Sequence, residues 1–450
     1  MPFQPVCWPN NVDCPVRLRA CRDCFYPFCR TIRRLKEGGE EMKKIFACTA
    51  IAALLASGTA YGAGYRIPEQ SVNSVAKAGA NIASGNTADV SYFNPANMSW
   101  LEDRALFEGA AEWIHLKEIK YQDNRTPLYN GESDSEDFVL PTFFAVSPDY
   151  NNFRIGVSMT YPGGLSKKWR DPFPRTFAEE FTLKVYELAL SGSYKINDMI
   201  SVAAGVRSIY ADATVRSAGQ VAAGTTASRY MDGDTWEWGY NLALAVRPTP
   251  ESNLSVTYRS KVDLDLEGTA DLATSLGPAT YHGDAAASVP QPAVLSLAGC
   301  YTFFDQLTVE LEYERTFWSS YETLDFTYPA PLTNPVLYMA FDQPKAKNWD
   351  DSDTYRIGFS YDTKKSFILM AGFAYDKNPI PDSTLSFELP DSDAYIYSVG
   401  VRYLANEHLE VGIGYLYDYK EDRSVTNSVL DGEFSDAGAH VVTIGLSYKL

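Results

Sequence analysis

The stretch Trp236-Glu237-Trp238-Gly239-Tyr240-Asn241-Leu242-Ala243-Leu244-Ala245-Val246 alternates without a break. Trp236, Trp238, Tyr240, Leu242, Leu244 and Val246 fall on one side, and Glu, Gly, Asn and Ala on the other. A period of two puts successive side chains on opposite faces of an extended strand, so this is a strand with one strongly apolar face. The run is roughly twice as long as the five or six residues usual in a soluble sheet. The pattern recurs. Leu254, Val256 and Tyr258 oppose Ser255, Thr257 and Arg259, and the chain ends with Val442, Ile444, Leu446, Tyr448 and Leu450 opposing Thr443, Gly445, Ser447 and Lys449.

The breaks between alternating runs come in two sizes. Short ones fall at 147–152, 195–198, 247–253, 302–306, 361–366 and 404–408. Long polar ones fall at 120–135, 162–180, 217–233, 269–288, 325–352, 377–391 and 421–437. Six short and seven long connections require fourteen strands, with the long loops all at one end. An even number of long strands with this asymmetry is the pattern of an outer-membrane β-barrel. Lipid cannot satisfy backbone N–H and C=O groups, so a sheet in lipid must close on itself. A secreted β-sandwich or solenoid would show shorter strands and no alternation of loop length. The expected fold is an all-β membrane barrel of 14 antiparallel strands over 104–450.

The segment 64–103 breaks the rhythm. Residues 71–83 are rich in Ala, Ser, Gly and Asn, which suit short helices, caps and tight turns. Fourteen strands enclose more space than side chains fill, so this segment is expected to be a hatch that plugs the lumen. Upstream, Lys43 and Lys44 precede a short uncharged apolar run and the small residues around Ala60-Tyr61-Gly62-Ala63. This reads as a removable signal peptide over 42–63 and is too short to cross a bilayer. Residues 1–41 read as a mis-assigned upstream leader, with Met42 as the true start.

That reading bears on cysteine and charge. Of seven Cys, only Cys300 lies beyond residue 63, so no intramolecular disulfide is expected there. The Cys21-Arg22-Asp23-Cys24 pair falls in the leader and is not taken as a zinc site. Beyond residue 63 the chain keeps 30 Lys/Arg and 52 Asp/Glu, a net charge of −22, which excludes nucleic acid as a partner. Asp350-Asp351-Ser352-Asp353 and Asp391-Ser392-Asp393 lack the twelve-residue loop and closing Glu of a calcium site, and are expected to be solvated surface. His115, His282, His408 and His440 have no nucleophile motif around them. No enzyme activity, metal or cofactor is expected.

Several further stretches carry a family resemblance: Ala63-Gly64-Tyr65-Arg66-Ile67 and Asn94-Pro95-Ala96, then Tyr258-Arg259-Ser260-Lys261-Val262 with Gly268, and Pro290 with Pro292. Tyr313 through Trp318-Ser319, Tyr355-Arg356-Ile357-Gly358, Asp376-Lys377-Asn378-Pro379-Ile380-Pro381 and Leu389-Pro390-Asp391-Ser392-Asp393 follow in order. Together they resemble the FadL-type outer-membrane long-chain fatty acid transporter family (OmpP1/FadL/TodX). The resemblance implies passive uptake of hydrophobic molecules through a Gram-negative outer membrane. It implies an apolar pocket with a cation for the ligand carboxylate, for which Arg216, Lys345 and Lys347 are the candidates, since a carboxylate needs a charge-assisted hydrogen bond. It also implies hatch movement and sideways release at a kink in the third strand. The kink is expected at Tyr161-Pro162-Gly163-Gly164, where Pro removes a ladder donor and Gly permits a bend, and the gating motif beside it at Asn94, Pro95 and Ala96.

The expected partners are a long-chain fatty acid or other hydrophobic ligand, outer-membrane lipid and lipopolysaccharide, and the barrel assembly machinery, with the chain acting as a monomer. Two features depart from the family pattern. The loops at 217–233 and 269–288 are short for the family's outer groove, and the chain ends in Leu450 where barrels often end in Phe. Two other readings remain open: uptake of uncharged compounds such as aromatic hydrocarbons, and a structural or adhesin barrel without transport.

Overall fold

A computed structural model describes residues 64–276 and 280–450. The leader and signal-peptide expectations lie outside the described residues. The wall is a closed antiparallel barrel of fourteen strands. The first six are β1 (Leu106–Leu116), β2 (Glu136–Val146), β3 (Phe153–Lys168), β4 (Glu180–Lys195), β5 (Ile200–Ala222) and β6 (Thr225–Thr249). β7 runs as Ser252–Arg259 and Val262–Thr274, and β8 as Tyr281–Gln291 and Val294–Phe303. The rest are β9 (Leu307–Thr316), β10 (Ser352–Asp362), β11 (Phe367–Asp376), β12 (Ala394–Leu404), β13 (Leu409–Lys420) and β14 (Gly438–Lys449). β14 pairs with β1 from Leu106↔Lys449 to Leu116↔Ala439, which leaves no free sheet edge there. Among the described residues no helix is long and apolar enough to cross a membrane; the strands do the crossing.

The quoted stretch shows the physics of the wall. Trp238 is 69% exposed and Leu242 49%, while Asn241, Ala243 and Ala245 are buried inside. The apolar face of the alternation is thus the lipid face. Toward the long-loop end, aromatic rings follow one another across four strands: Tyr161–Tyr186 at 5.2 Å, Tyr186–Tyr210 at 5.9 Å and Tyr210–Trp236 at 5.1 Å. Such a belt marks the membrane interface. Leu242 lies below it, within the hydrocarbon band. Leu242→Arg is expected to destabilise the barrel by about 2–4 kcal/mol, read by denaturant-induced unfolding in lipid vesicles.

Two expected loops are not loops. β5 and β6 pair as far as Ala222↔Thr225, with one register shift after Gln220, so 217–233 is a hairpin with a two-residue tip. β7 and β8 likewise pair to Leu272↔Tyr281 within the 269–288 stretch. Both faces of these projections are polar or mixed above the membrane, so the alternation that marks a strand in lipid fades although the ladder continues. The 162–180 stretch is also shorter than expected as a loop, because β3 continues to Lys168 and a helix at Pro172–Ala178 fills most of the remainder.

Residues 64–103 fill the lumen. They form α1 (Val72–Ala76), α2 (Val90–Phe93) and a 3-10 helix (Pro95–Trp100). Ser71 and Ser74 cap α1 reciprocally. The buried Asp89 carboxylate organises the turns by accepting from Ser71 (2.8 Å), Asn81 (2.8 Å) and Thr87 (2.7 Å). Small residues let backbone approach wall: a Cβ on Gly372 would lie 2.1 Å from the Lys77 carbonyl carbon. Charged wall residues grip the hatch. Arg402 bonds Asn73 (2.6 Å) and Glu108 (2.6 Å), and Glu310 accepts the Ala83 N–H (2.6 Å). Arg356 spans Glu312 (3.0 Å) and Glu314 (3.1 Å), and Arg66 shares Glu314 at 2.8 Å. Breaking one member of such a buried pair strands the other charge, at a typical cost of about 3–5 kcal/mol.

Candidate ligand passage

Three spaces run from the long loops into the wall. The outermost is a groove of about 590 Å³ between the β5–β6 hairpin, the 172–178 helix and a second loop helix, Pro335–Phe341. Phe177, Val336, Met339 and Phe341 make it apolar, and Arg229 and Lys345 line it. Arg229 is only 4% exposed; its guanidinium lies over Phe326 (5.0 Å) and Phe341 (5.6 Å) and bonds Ser217 through Nε at 3.1 Å, while Nη1 has no hydrogen-bond partner among the described residues.

Beneath lies a slot of about 80 Å³ inside the barrel, lined by Leu165, Phe181, Val215, Met231, Leu266 and Phe326 among others. Tyr65 closes one side, packed edge-on against Trp318 at 4.6 Å and near Trp349 at 5.7 Å. Ligand pockets usually hold about 300–1,000 Å³. A long chain therefore enters this slot only by moving its lining.

Lys347 and Glu388 stand at the slot wall. Glu388 binds Lys347 at 2.6 Å and Lys345 at 3.3 Å. Burial works to raise the Glu388 pKa, but the two lysines overcome it and hold the carboxyl well below the ordinary range. Burial also draws the Lys345 ammonium down to about 8, against the pull of Glu388. One carboxylate thus faces two lysines, with Arg229 near enough to act on it as well.

The third space, about 470 Å³, lies where the wall is incomplete. β2 pairs with β3 only from Val146↔Gly156 to Phe143↔Met159. The next contacts are well above: Ser166 donates to Glu136 (2.9 Å), Lys168 pairs with Glu136 (2.8 Å), and Ser133 bridges Trp169. Between these limits the two strands part. In the same interval the β3–β4 ladder slips by one residue between Thr160 and Gly163. Pro162 lacks an N–H on one lip of this window, and Pro141 lacks one on the other.

The hatch occupies the free edge. Ile67 N–H donates to Pro162 O (3.1 Å), and Gly164 N–H to Tyr65 O (2.9 Å). The Gln70 side chain both accepts from Tyr161 N–H (2.7 Å) and donates to Tyr161 O (3.0 Å). Residues 65–70 thus replace part of the ladder that β2 does not supply, and Tyr65 links this latch directly to the slot.

Tyr161, Pro162, Gly163 and Gly164 form the slipped segment of β3. Asn94, Pro95 and Ala96 make none of the hydrogen bonds to it. Asn94 caps the 3-10 helix through Ala96 N–H (3.1 Å) and donates to Ile82 O (2.9 Å), and Ala96 packs against Ala203, Ala243 and Ala245. The residues touching the bulge are 65–70 instead. Lys347 lines the slot and Lys345 the groove. Arg216 lines none of the three spaces: it is outward, 47% exposed, 3.4 Å from Glu180 and stacked over Tyr230 at 4.7 Å. The acidic loops differ from the solvated surface expected of them. Asp351 and Asp353 bind Arg315 at 3.1 and 3.0 Å, and Asp391 is buried against Lys420 while accepting the Gly64 N–H at 3.1 Å. Arg229 and Pro141 escaped the sequence reading. Pro141 left a signal, a proline inside an alternating run; Arg229 left none, since it sits in a polar stretch.

Glu69 adds a titratable latch. Burial raises its pKa from 4.5 to about 7, with Arg356 opposing. Across that window the packed hatch holds a proton that an unpacked one releases, so packing is firmest in acid and weakens as pH rises toward 7. The span corresponds to roughly 3 kcal/mol. Hydrogen exchange at the amides of 65–76 is expected to accelerate beyond its intrinsic pH dependence between about pH 5 and 7, and Glu69→Gln to remove that excess.

Residues 53–449 match the family described as outer membrane protein transport protein (OMPP1/FadL/TodX). The chain belongs to this family. It is therefore an outer-membrane protein of the FadL/TodX type, a class of transporters for hydrophobic substrates. The chain is 26% identical to outer membrane protein P1 of Haemophilus influenzae over 89% of this chain and 98% of that protein. It is 25% identical to a long-chain fatty acid transport protein of Escherichia coli over 82% and 90%. Among solved structures, a FadL homologue of Pseudomonas aeruginosa shares the fold with a TM-score of 0.76 at 20% identity, covering 86% of this chain and 99% of that one. The toluene transporter TodX of Pseudomonas putida gives 0.62 at 16% identity, covering 87% and 99%. FadL-type members are transport proteins, in keeping with a passage built of apolar spaces and a breached wall.

Proposed function

We propose that this protein takes up long-chain fatty acids passively and releases them sideways through the window between β2 and β3. The observation that carries the reading is the charge at the slot. Lys345, Lys347 and Arg229 gather around one carboxylate, Glu388, so the site keeps positive charge for a ligand carboxylate. The acyl chain supplies the affinity. Burial of a sixteen-carbon chain is worth on the order of 10 kcal/mol, which a water-filled pore does not offer.

The route follows the spaces. The molecule settles in the outer groove, passes to the slot with its head on Lys347, and displaces Tyr65. Tyr65 belongs to the strip that latches the bulge, so its movement frees the edge of β3 and opens the window. Delivery into the membrane spares the chain a second exposure to water. Asn94, Pro95 and Ala96 hold the far end of the hatch and act as its fixed point.

A second reading has an observation in its favour. The slot's 80 Å³ suits a small uncharged aromatic better than an extended chain. Uptake of labelled oleate and labelled toluene by cells lacking their own carriers, with the chain expressed from Met42, decides between them. Oleate uptake supports the proposal, and toluene uptake alone overturns it.

A further inference from the structure

Lys167 lies at the upper end of the window cavity and is 6% exposed. Among the described residues its ammonium makes no hydrogen bond or ion pair. Its neighbours are engaged. Lys168 holds Glu136 (2.8 Å) and Glu180 (3.7 Å), Ser166 also donates to Glu136 (2.9 Å), and Lys420 is bound to Asp391 and lies 4.0 Å from Asp418. The other acids of the cavity are elsewhere. Asp376 accepts from Thr354 at 2.7 Å. Glu112 stands opposite Leu140 in the ladder, while Leu116, four residues higher, stands opposite the Glu136 that Lys168 binds. Glu112 and its neighbour Glu69 are therefore at the level of the bulge, well below Lys167.

A buried cation without a partner is costly unless something occupies it for part of the working cycle. Its surroundings define what that is. Between these charged residues the lining is apolar, with Ile114, Ile119, Phe138, Leu140, Val185 and Leu416 along it. It shares Leu165, Leu183 and Leu389 with the slot, so the two spaces adjoin. A molecule leaving the slot thus meets apolar walls for a tail and, for a head, the buried ammonium of Lys167; Lys117, only half-buried in the same lining, likewise has no ion pair among the described residues.

We propose that Lys167 forms an exit subsite which takes over the carboxylate of the migrating fatty acid from Lys347 before release into the membrane. This rests on the fatty-acid reading above and assigns that route a specificity-determining residue. Without Lys167 the carboxylate loses its buried partner at the window, whereas an uncharged molecule of the same length is indifferent to it. A charge-assisted hydrogen bond of this kind corresponds to about tenfold in rate.

The test compares uptake of labelled oleate with labelled oleyl alcohol, in cells lacking their own carrier and producing the full chain, its Lys167→Met variant or its Lys167→Arg variant. Heat-modifiable electrophoretic mobility establishes that each barrel is folded. The proposal requires the oleate-to-alcohol ratio to fall about tenfold in Lys167→Met and to recover in Lys167→Arg. An unchanged ratio in folded Lys167→Met, or an equal loss of both substrates, overturns the exit subsite while leaving fatty-acid transport standing. Failure of the unsubstituted chain to take up oleate overturns both.

Discussion

Deleting Pro162 and replacing Pro141 by Val is expected to abolish uptake while leaving ligand binding intact. The window exists because β3 carries one residue more than β4 between Thr160 and Gly163, and because each lip lacks a donor at a proline. Removing the extra residue restores the β4 register and keeps the later side chains of β3 on their present faces. Val at 141 returns the missing N–H. The β2–β3 ladder then continues upward from Phe143↔Met159 toward the Ser133–Trp169 bridge, and the breach closes with hydrogen bonds that lipid could not provide. The slot and its lysines lie elsewhere and are untouched. Uptake of labelled oleate is expected to fall to the level of cells without a carrier, while purified protein still binds oleate. Continued transport through the sealed wall would show that the cargo leaves by another path, through the lumen to the periplasm.

Replacing both Lys345 and Lys347 by Met is expected to weaken oleate binding by roughly a hundredfold. Two charge-assisted hydrogen bonds of about 1.5–3 kcal/mol each would predict more, but part of each lysine's capacity is already spent on Glu388. Met preserves the apolar stems, so the wall stays packed. The variant also leaves Glu388 buried without its lysines, which repels an incoming carboxylate. Adding Glu388→Gln is expected to recover part of the loss and so separate lost attraction from new repulsion. Oleyl alcohol, titrated in parallel, should bind all three proteins with much smaller differences. Equal losses for acid and alcohol would mean that the lysines only hold the loops together. The same site predicts a pH effect. Lys345, with its pKa near 8, loses its charge as pH rises through that value, so oleate affinity falls on the alkaline side and the fall disappears in Lys345→Met.

The strands were legible because lipid imposes one rule along the whole wall. Trp236 through Val246 must show an apolar face at every second residue, and no tertiary contact is needed to see it. The hairpin above the membrane escaped because water relaxes that rule: Ser217 pairs with Arg229 and Gln220 with Thr226 in the same ladder that holds Leu242, without the apolar alternation. At the candidate site the limit was different. Pro162-Gly163-Gly164 announced a break in β3, but Pro141 gained its meaning only once it was seen across the same gap. Arg229 and Arg216 look alike in the chain. One is covered by Phe326 and Phe341 from distant loops, and the other faces outward beside Glu180.

The sequence by itself determined that this is a closed fourteen-stranded outer-membrane barrel with a lumen-filling N-terminal segment, because backbone satisfaction in lipid and side-chain period follow from local order. The tertiary structure decided which charges are free to act. Lys347 finds Glu388, Arg66 finds Glu314, Lys168 finds Glu136, and Lys167, its neighbour in the chain, forms no ion pair among the described residues. Pairing is fixed by which strands and loops close around each side chain, and that is a property of the closed barrel rather than of any stretch of its sequence.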